Sequence, residues 1–549
     1  MKDEIQDWHR RTACAEGIRI VLPKNSGPVI KNIARVFTRQ VESRCGAKVT
    51  TSGKAPLTAE LAIEPGIGAE GFTIADGKDG AVRIIGNDER GVLYGVGKFL
   101  RESRYDKDGF TPGAWRGTSA PKCPVRMVYM ATHFGNFYEA APIEEVIHYT
   151  QDLGLWGYNA IGIHFPTWQF NGFGDPAAGA WLKRFKIVLR EAKRCGLQIA
   201  LLQDCNDAWK NRPDHLRKTD VPGHRRGNFG ANLCPSIPEA WNLLLQLYDG
   251  LLDEFKDIGL DYFVFWPYDE GGCACKDCWP WGARGFVRLS RELAAHIRTR
   301  FPDCKRILST WCFENEDDNN PDGEWVGLTQ ALAQDKSWVE YLIADGHDNY
   351  FPAYPLTNGV PGNLPLVNFP EISMFGMGPW GGYGANPAPA HFQMLWDRIK
   401  HMAAGGAPYS EGIYEDLNKA IVAGFYWDPK RKAEDTVREY VSFEFSPDAA
   451  DELVEVVRIF EENHDRGKIR ENAARALALV QRAEARLPKQ ARRSWRWRIF
   501  ALRALIDKEM FDHKGKLEGA TLKAAFEELT RIYHAGNAHS MPIKPPEIK

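Results

Sequence analysis

Two adjacent carboxylates, Asp269 and Glu270, follow an apolar and aromatic stretch at residues 260–266. Such a stretch is typical of a strand that is buried on both faces of a parallel sheet. In a parallel β/α barrel, the ends of such strands carry the catalytic side chains. A carboxylic acid in that place can protonate a departing oxygen, so we interpret Glu270 as a catalytic acid with Asp269 beside it.

Three cysteines come directly after this acidic pair. Cys273, Cys275 and Cys278 form a C-x-C-x-x-C pattern, and Cys234 lies in the preceding strand-to-helix loop, within NLCPS. Four thiolates from neighbouring loops predict a closed, structural zinc site, because no coordination position stays open for water. The alternative is one disulfide and a free thiol. A bound zinc ion would hold in place the loop that carries Glu270. For catalysis itself we expect no cofactor.

The elements that must position these residues alternate between strand-like and helical patterns. We expect eight barrel strands, at residues 125–131, 160–165, 198–203, 262–266, 306–311, 340–344, 366–369 and 408–413. Amphipathic helical patterns lie between them, as in a (β/α)₈ barrel.

The barrel does not account for the whole chain. A chain of 549 residues is too long for one core. We expect a small α/β domain at residues 1–120, the catalytic (β/α)₈ barrel at 121–430, and an all-α helical domain at 431–549. The run RRSWRWR at 492–498 favours a helix of that last domain over a nucleic-acid site, since its apolar residues fall on one face.

A family resemblance rests on the run DGAVRIIGNDERGVLYGVGKFLRES at residues 79–103. It resembles the end of the small domain that precedes the barrel in family 20 β-N-acetylhexosaminidases and family 67 α-glucuronidases. By resemblance to family 20, Glu270 is the general acid and Asp269 orients the acetamido group of the substrate. The sequence Trp266-Pro267-Tyr268-Asp269-Glu270 lacks the histidine of the family 20 motif His-x-Gly-x-Asp-Glu.

Resemblance to family 67 implies a second mechanism. Those enzymes place their acid on a Glu followed by Gly, which Glu270-Gly271 also matches, and carboxylates on strands six and seven activate water. The comparable residues here are Asp345 and Glu371, which leaves an inverting glycosidase open.

Further strand ends supply groups suited to holding a sugar. They are His133, His164, Asp204, Trp311, Trp380, Tyr383 and Glu411. Arg126 resembles an arginine that family 20 enzymes use on sugar hydroxyls, with an ion pair at the barrel bottom as its alternative. For Glu415 and Asp416 we prefer the start of the next helix.

The composition sets limits on the partners. The net charge of −2 gives no reason to expect nucleic acid or a membrane as a partner, and 12% aromatic residues suit carbohydrate binding. The chain start and the absence of long apolar runs predict a soluble protein, either cytoplasmic or exported with its signal removed. A homodimer stays open.

The sequence thus predicts a glycoside hydrolase that releases a terminal sugar, with a β-N-acetylhexosamine implied by the resemblance. An inverting α-glucuronidase-like enzyme and a non-catalytic carbohydrate-binding barrel remain as alternatives.

Overall fold

The structure is a computed structural model that describes residues 14–107, 109–221, 231–268, 271–314, 323–345, 351–373, 383–537 and 547–548. Within these ranges the chain forms an N-terminal mixed sheet, a barrel of parallel strands and a C-terminal helical region. The predicted fold class is therefore confirmed, whereas the domain boundaries at residues 120 and 430 stay predictions. No helix in the described part of the chain is long and apolar enough to cross a membrane.

The N-terminal region is a six-stranded sheet accompanied by two long helices. Its elements are β1 (Gly17–Val21), α1 (Pro28–Cys45), β2 (Lys48–Thr50), β3 (Leu57–Ile63), β4 (Phe72–Asp76), β5 (Val82–Gly86), α2 (Glu89–Glu102), the hairpin of β6 (Arg104–Asp106) and β7 (Gly109–Thr111), and β8 (Gly117–Ser119). The sheet order is β2-β1-β3-β5-β4-β8, and only the pairs that involve β4 are antiparallel.

Helix α2 connects this region to the barrel. The side chain of Asp88 caps its first turn by accepting a 2.9 Å hydrogen bond from the N–H of Gly91. A Cβ atom on Gly97 would lie 2.1 Å from the carbonyl oxygen of Leu155, a barrel residue. The glycines of this helix therefore serve close packing.

The central region is a closed parallel barrel. Its strands are β9 (Val125–Met130), β10 (Ala160–His164), β11 (Gln198–Asp204), β12 (Tyr262–Trp266), β13 (Lys305–Ser309), β14 (Tyr341–Asp345), β15 (Leu366–Phe369), β16 (Ala403–Gly406) and β17 (Tyr409–Ser410). Between them lie α3 (Phe137–Ala140), α4 (Ile143–Leu155), α5 (Pro176–Arg194), α6 (Pro238–Glu254), α7 (Gly285–Arg300), α8 (Glu324–Gln334), α9 (Ala353–Asn358) and α10 (Pro389–Ile399). Strand β9 pairs with β10 on one side and with β16 on the other, which closes the barrel.

The eighth strand differs from its prediction. It consists of two pieces, β16 and β17, which both pair with β9. The unpredicted piece contains Gly405 and Gly406, where a Cβ atom would lie 1.7 Å from the carbonyl oxygen of Val125 and 1.9 Å from the hydroxyl of Tyr426. Two glycines indicate a turn in a sequence, but here they allow a strand to approach its neighbours closely.

The C-terminal region consists of helices that pack on the barrel. They follow α11 (Asp416–Trp427) and are α12 (Ala433–Glu444), α13 (Ala450–Glu462), α14 (Asn472–Glu484), α15 (Lys489–Arg493), α16 (Trp495–Asp512) and α17 (Ala520–Ile532). The buried guanidinium of Arg496 lies 2.7 Å from Asp416 and 3.1 Å from Asp152, both on barrel helices. The run 492–498 spans the end of α15 and the start of α16, with Ser494 as the extended residue between them, and its buried arginine fixes the helical region to the barrel.

Candidate active site

Polar side chains collect where the barrel strands end. His164, Asp204 and Asp345 are the last residues of β10, β11 and β14, and Glu371 and Glu411 come just after β15 and β17. Each of the five is more than nine-tenths buried. Because parallel strands end on the same side of a barrel, all five belong to one rim, where barrel enzymes carry their active sites.

Five aromatic rings form a continuous surface at the same end of the barrel, which we call the aromatic floor: Tyr129, Trp266, Trp311, Phe369 and Tyr409. The rings of Trp266 and Trp311 are stacked with centroids 5.6 Å apart, and Phe369 lies 4.9 Å from Trp266. Tyr129 continues the contacts to Phe369 at 6.0 Å and to Tyr409 at 5.7 Å. Aromatic faces of this kind can pack against the C–H face of a sugar.

Two histidines from neighbouring strands touch at this rim. The rings of His133 and His164 meet edge to face, with centroids 4.8 Å apart. Burial lowers the pKa of His164 to about 4, and burial together with His164 lowers the pKa of His133 well below its usual value. His164 is neutral near pH 7, and its Nδ1–H donates to the carbonyl oxygen of Leu202 at 3.1 Å. Neutral imidazoles suit hydrogen bonding to a neutral sugar.

The carboxylates that follow β15 and β17 lie close to each other. Glu371 accepts a 2.7 Å hydrogen bond from the backbone N–H of Ser373, and Glu411 accepts one of 2.7 Å from the hydroxyl of Tyr409. Burial, followed by the charges of Glu411 and Glu371, raises the pKa of Tyr409. Both carboxylates therefore lie near Tyr409 and belong to the same site.

Residues that the sequence analysis did not select also lie near the end of β11. Asp207 accepts hydrogen bonds from the hydroxyl of Thr167 and from the N–H of Ala208, and burial raises its pKa. Asn232, which forms a backbone bridge with Asp207, is fully buried, and its amide has no hydrogen-bond partner in the structure. Their signal in the sequence is weak, since Asp207 is one acid in DCND and Asn232 only precedes the Cys234 loop.

The predicted catalytic pair and one predicted aromatic residue cannot be placed. Asp269, Glu270 and Trp380 lie outside the described residues. The residues on either side of the pair are described: Tyr268 and Gly272 are buried, and they adjoin the end of β12.

Arg126 lies at the opposite end of the barrel and is not among the residues that gather at the rim. It is the second residue of β9 and is fully buried. Its guanidinium pairs with Glu70 of the N-terminal region and donates to the carbonyl oxygens of Gly157 (2.7 Å) and Cys123 (2.9 Å). These contacts agree with the second interpretation of Arg126, an ion pair at the bottom of the barrel.

Tyr383 packs on the C-terminal helices. Its ring lies 5.6 Å from that of Phe526 in α17, and the guanidinium of Arg466 lies 5.1 Å from its centroid. These contacts attach Tyr383 to the C-terminal helices, and its role in a sugar subsite stays a prediction.

The four predicted cysteines do converge. The sulfur atoms of Cys234, Cys273, Cys275 and Cys278 all lie within 4.8 Å of one another, and none forms a disulfide. The sulfur of Cys234 is 3.6 Å from that of Cys275 and 3.5 Å from that of Cys273. Zinc–sulfur bonds of about 2.3 Å in a tetrahedron require sulfur atoms about 3.8 Å apart, which fits this cluster. The cluster can therefore hold a metal ion such as zinc.

Hydrogen bonds couple the thiols of the cluster to one another and to their surroundings. Those from the thiols of Cys273 and Cys278 lower the pKa of Cys234, and the same contacts raise the pKa of Cys273 to about 11 and also raise that of Cys278. The N–H of Thr219 donates to the sulfur of Cys273 at 3.4 Å, and the hydroxyl of Ser236 lies 3.0 Å from Cys234 and 3.3 Å from Cys275. Such outer donors orient ligands and stabilise their negative charge.

The comparisons with known proteins concern the fold. No protein-family model matches the sequence, and no curated protein matches it. Among solved structures, a family GH115 4-O-methyl-α-glucuronidase with specificity for decorated arabinogalactans superposes with a TM-score of 0.62 at 10% identity, covering 97% of this chain and 78% of that one. A family GH138 enzyme that targets pectin rhamnogalacturonan II gives 0.60 at 11% identity, covering 95% and 90%.

The resemblance to family 20 also extends to the fold. The GH20 β-N-acetylhexosaminidase of Streptomyces coelicolor A3(2) superposes with a TM-score of 0.51 at 13% identity, over 80% of this chain and 92% of that one. The fold is that of barrel glycoside hydrolases with an N-terminal α/β region. At these identities the likeness concerns the fold and does not single out one family.

Proposed function

We propose that this protein is a glycoside hydrolase that releases a terminal sugar, with Glu270 as the general acid. The observation that carries the proposal is the rim itself, where buried carboxylates from several strands surround an aromatic floor. Glycoside hydrolysis needs a proton donor on one side of the sugar and a carboxylate or a substrate group on the other. Carbohydrate is the partner that this arrangement suits.

The role of Glu270 requires a raised pKa, because the acid must hold its proton near neutrality. Trp266 is the last residue of the strand that precedes Glu270, and Trp311, which follows β13, stacks on it, so the two rings can exclude water there. Burial among aromatic rings disfavours the charged form of a carboxyl group. In the N-acetylhexosaminidase-like form of the proposal, Asp269 orients the acetamido group of the substrate, which acts as the nucleophile.

One observation favours a second candidate, an inverting hydrolase. Glu371 lies buried beside Tyr409 on the same rim, where it can serve as the base that activates water, with Asp345 on the neighbouring strand. The anomeric configuration of the first product, followed by NMR, separates the two. Retention supports the assisted mechanism with Asp269, and inversion supports Glu371.

The proposal also assigns a structural zinc ion to the four cysteines. Four thiolates fill a tetrahedral shell, so the ion would have no position for water or substrate and would supply structural stability only.

The test is a screen of aryl glycosides that includes N-acetylglucosaminide, N-acetylgalactosaminide, glucuronide, fucoside and galactoside. With the active substrate, Glu270→Gln should lower kcat/KM by about 10²- to 10⁴-fold. The loss should shrink for a dinitrophenyl leaving group, which departs without protonation. Glu471→Gln, at an exposed position, is the control with the same chemical change.

Equal losses for good and poor leaving groups would contradict the role of Glu270 as the acid. Sugar binding without any turnover, unchanged by Glu270→Gln, would instead support a non-catalytic carbohydrate-binding barrel.

A further inference from the structure

The segment that carries Asp269 and Glu270 is held on both sides by buried contacts. On the near side, the indole N–H of Trp281 donates to the carbonyl oxygen of Pro267 at 2.6 Å, and the hydroxyl of Tyr268 donates to Glu324 at 2.5 Å. On the far side, Gly271 packs so closely that a Cβ atom would lie 2.6 Å from the same carbonyl oxygen. The two ends of the segment therefore lie against each other.

Asn206 fixes the far end of this segment. Its amide oxygen accepts a 3.0 Å hydrogen bond from the N–H of Gly272, and its amide nitrogen donates to the carbonyl oxygen of Gly272 at 3.0 Å. The same nitrogen donates to the carbonyl oxygen of Leu233 at 2.9 Å. Asn206 is fully buried, and its amide forms these hydrogen bonds with the backbone of two loops.

The cysteine cluster joins the same two loops. In each loop, a cysteine comes directly after the residue that Asn206 contacts. Cys273 follows Gly272, and Cys234 follows Leu233. The N–H of Ala274 also donates to the carbonyl oxygen of Thr219 at 3.0 Å, which adds a third stretch of chain. The amide of Asn206 and the four sulfur atoms thus form two adjacent cross-links between the loops that follow β11 and β12.

We propose that metal binding by the four cysteines, together with Asn206, positions the segment 267–272, so that the occupancy of the metal site controls the activity of the rim. This inference rests on the proposed function, because it assigns the acid to that segment. With all four ligands supplied by the protein, the ion takes no part in the chemistry, and Asn206 acts as a positioning residue. Small displacements of a catalytic group cost large factors in rate.

The metal is tested first, without any measurement of activity. The purified full chain should contain close to one zinc ion, measured by plasma mass spectrometry. Cobalt added to the metal-free protein should give the thiolate-to-cobalt charge-transfer bands and the visible bands of a tetrahedral tetrathiolate site. Cys275→Ser should lose both signals, whereas Cys304→Ser, at a buried thiol outside the cluster, should keep them. Absence of both signals in the wild type would overturn the metal site.

The positioning is tested by hydrogen exchange. Removal of the metal from the wild-type protein should speed the exchange of backbone amides in peptides that cover residues 262–280, and metal return should reverse the change. Asn206→Ala should speed exchange around Gly272 while it keeps the cobalt spectrum. Exchange in this region that does not respond to metal or to Asn206→Ala would overturn the positioning role, even if Cys275→Ser fails to fold.

The consequence for catalysis is a change in kcat. Metal removal and Asn206→Ala should each lower kcat by about 10- to 100-fold with little change in KM. Unchanged kcat despite metal loss would overturn the control by metal and leave the hydrolase proposal standing. A wild-type protein that hydrolyses nothing would count against the hydrolase proposal, while the metal and exchange measurements would still decide the structural claim.

Discussion

The carboxylates of Glu70 and Glu340 at the N-terminal end of the barrel face guanidinium groups, whereas Glu371 and Glu411 at the rim accept hydrogen bonds from neutral donors. Glu70 pairs with Arg126 and lies 3.0 Å from Arg90, and Glu340 lies 2.5 Å from Arg306. At the rim, Glu411 accepts a hydrogen bond from a tyrosine hydroxyl. A guanidinium holds a carboxylate in its ionised form, whereas in a buried site with neutral donors its protonation depends on the surroundings.

Charged residues therefore have different roles at the two ends of the barrel. At the N-terminal end the ion pairs attach the preceding region and the strand-connecting loops, so a variant there should change stability. At the rim, Glu371 and Glu411 accept hydrogen bonds from a backbone N–H and a tyrosine hydroxyl, so a variant there should change chemistry. The predictions below test that division.

The largest effect is expected at the rim, for Glu371→Gln. The amide keeps an acceptor for the N–H of Ser373 but cannot act as a base, so kcat/KM should fall by about 10²- to 10⁴-fold. The melting temperature should change little. Steady-state kinetics with the best aryl glycoside measure the loss, and Glu340→Gln, at a partly exposed position at the other end of the barrel, is the control with the same chemical change. If Glu371→Gln keeps most of the activity, Glu371 is not the base and the inverting mechanism loses its main support.

At the N-terminal end, Arg126→Met should change stability and leave catalysis intact. The substitution removes the guanidinium from the buried carboxylate of Glu70, which should cost about 3–5 kcal/mol in the free energy of unfolding. Urea unfolding measures this loss, and kcat per folded molecule should stay the same. Arg291→Met, which breaks the exposed pair with Asp335, should cost less than about 1 kcal/mol. A fall in kcat without destabilisation would support the interpretation that Arg126 binds the sugar.

The smallest effect concerns the pH dependence of stability. Because the pKa of His164 is about 4 in the folded protein and near 6.5 when unfolded, the unfolded chain binds more protons between these values. Stability should therefore fall as the pH drops from about 7 to about 5, by up to about 2 kcal/mol from this residue. The slope of unfolding free energy against pH should be shallower for His164→Gln. Equal slopes in the two proteins would show that His164 titrates normally.

Much of the fold follows from the sequence because apolar runs of fixed length alternate with helical periodicity. The limits of β12 and β15 agree with their predictions, since each run ends abruptly in polar or proline residues. The cysteine cluster was also predictable, because loops after neighbouring parallel strands must meet at one rim. The placement of Asp269 and Glu270 stays a prediction.

The contacts of individual side chains have physical causes that the sequence does not show. Arginine suits both a sugar hydroxyl and an ion pair, and for Arg126 only its place at the start of β9 could have decided between them. Tyr383 meets Phe526, a partner far away in the sequence, so no local pattern reveals the contact. Asn206 follows a strand and both ends of its amide bind backbone groups of two loops, which no local pattern reveals.

The buried guanidinium of Arg496 has a practical consequence for anyone who wishes to shorten the gene. A barrel expressed without the last helices would lack the guanidinium that pairs with the buried carboxylate of Asp416, and Asp152 would keep only its pair with Arg39. Such a fragment should therefore be difficult to produce in soluble form, and assays are better done with the whole polypeptide.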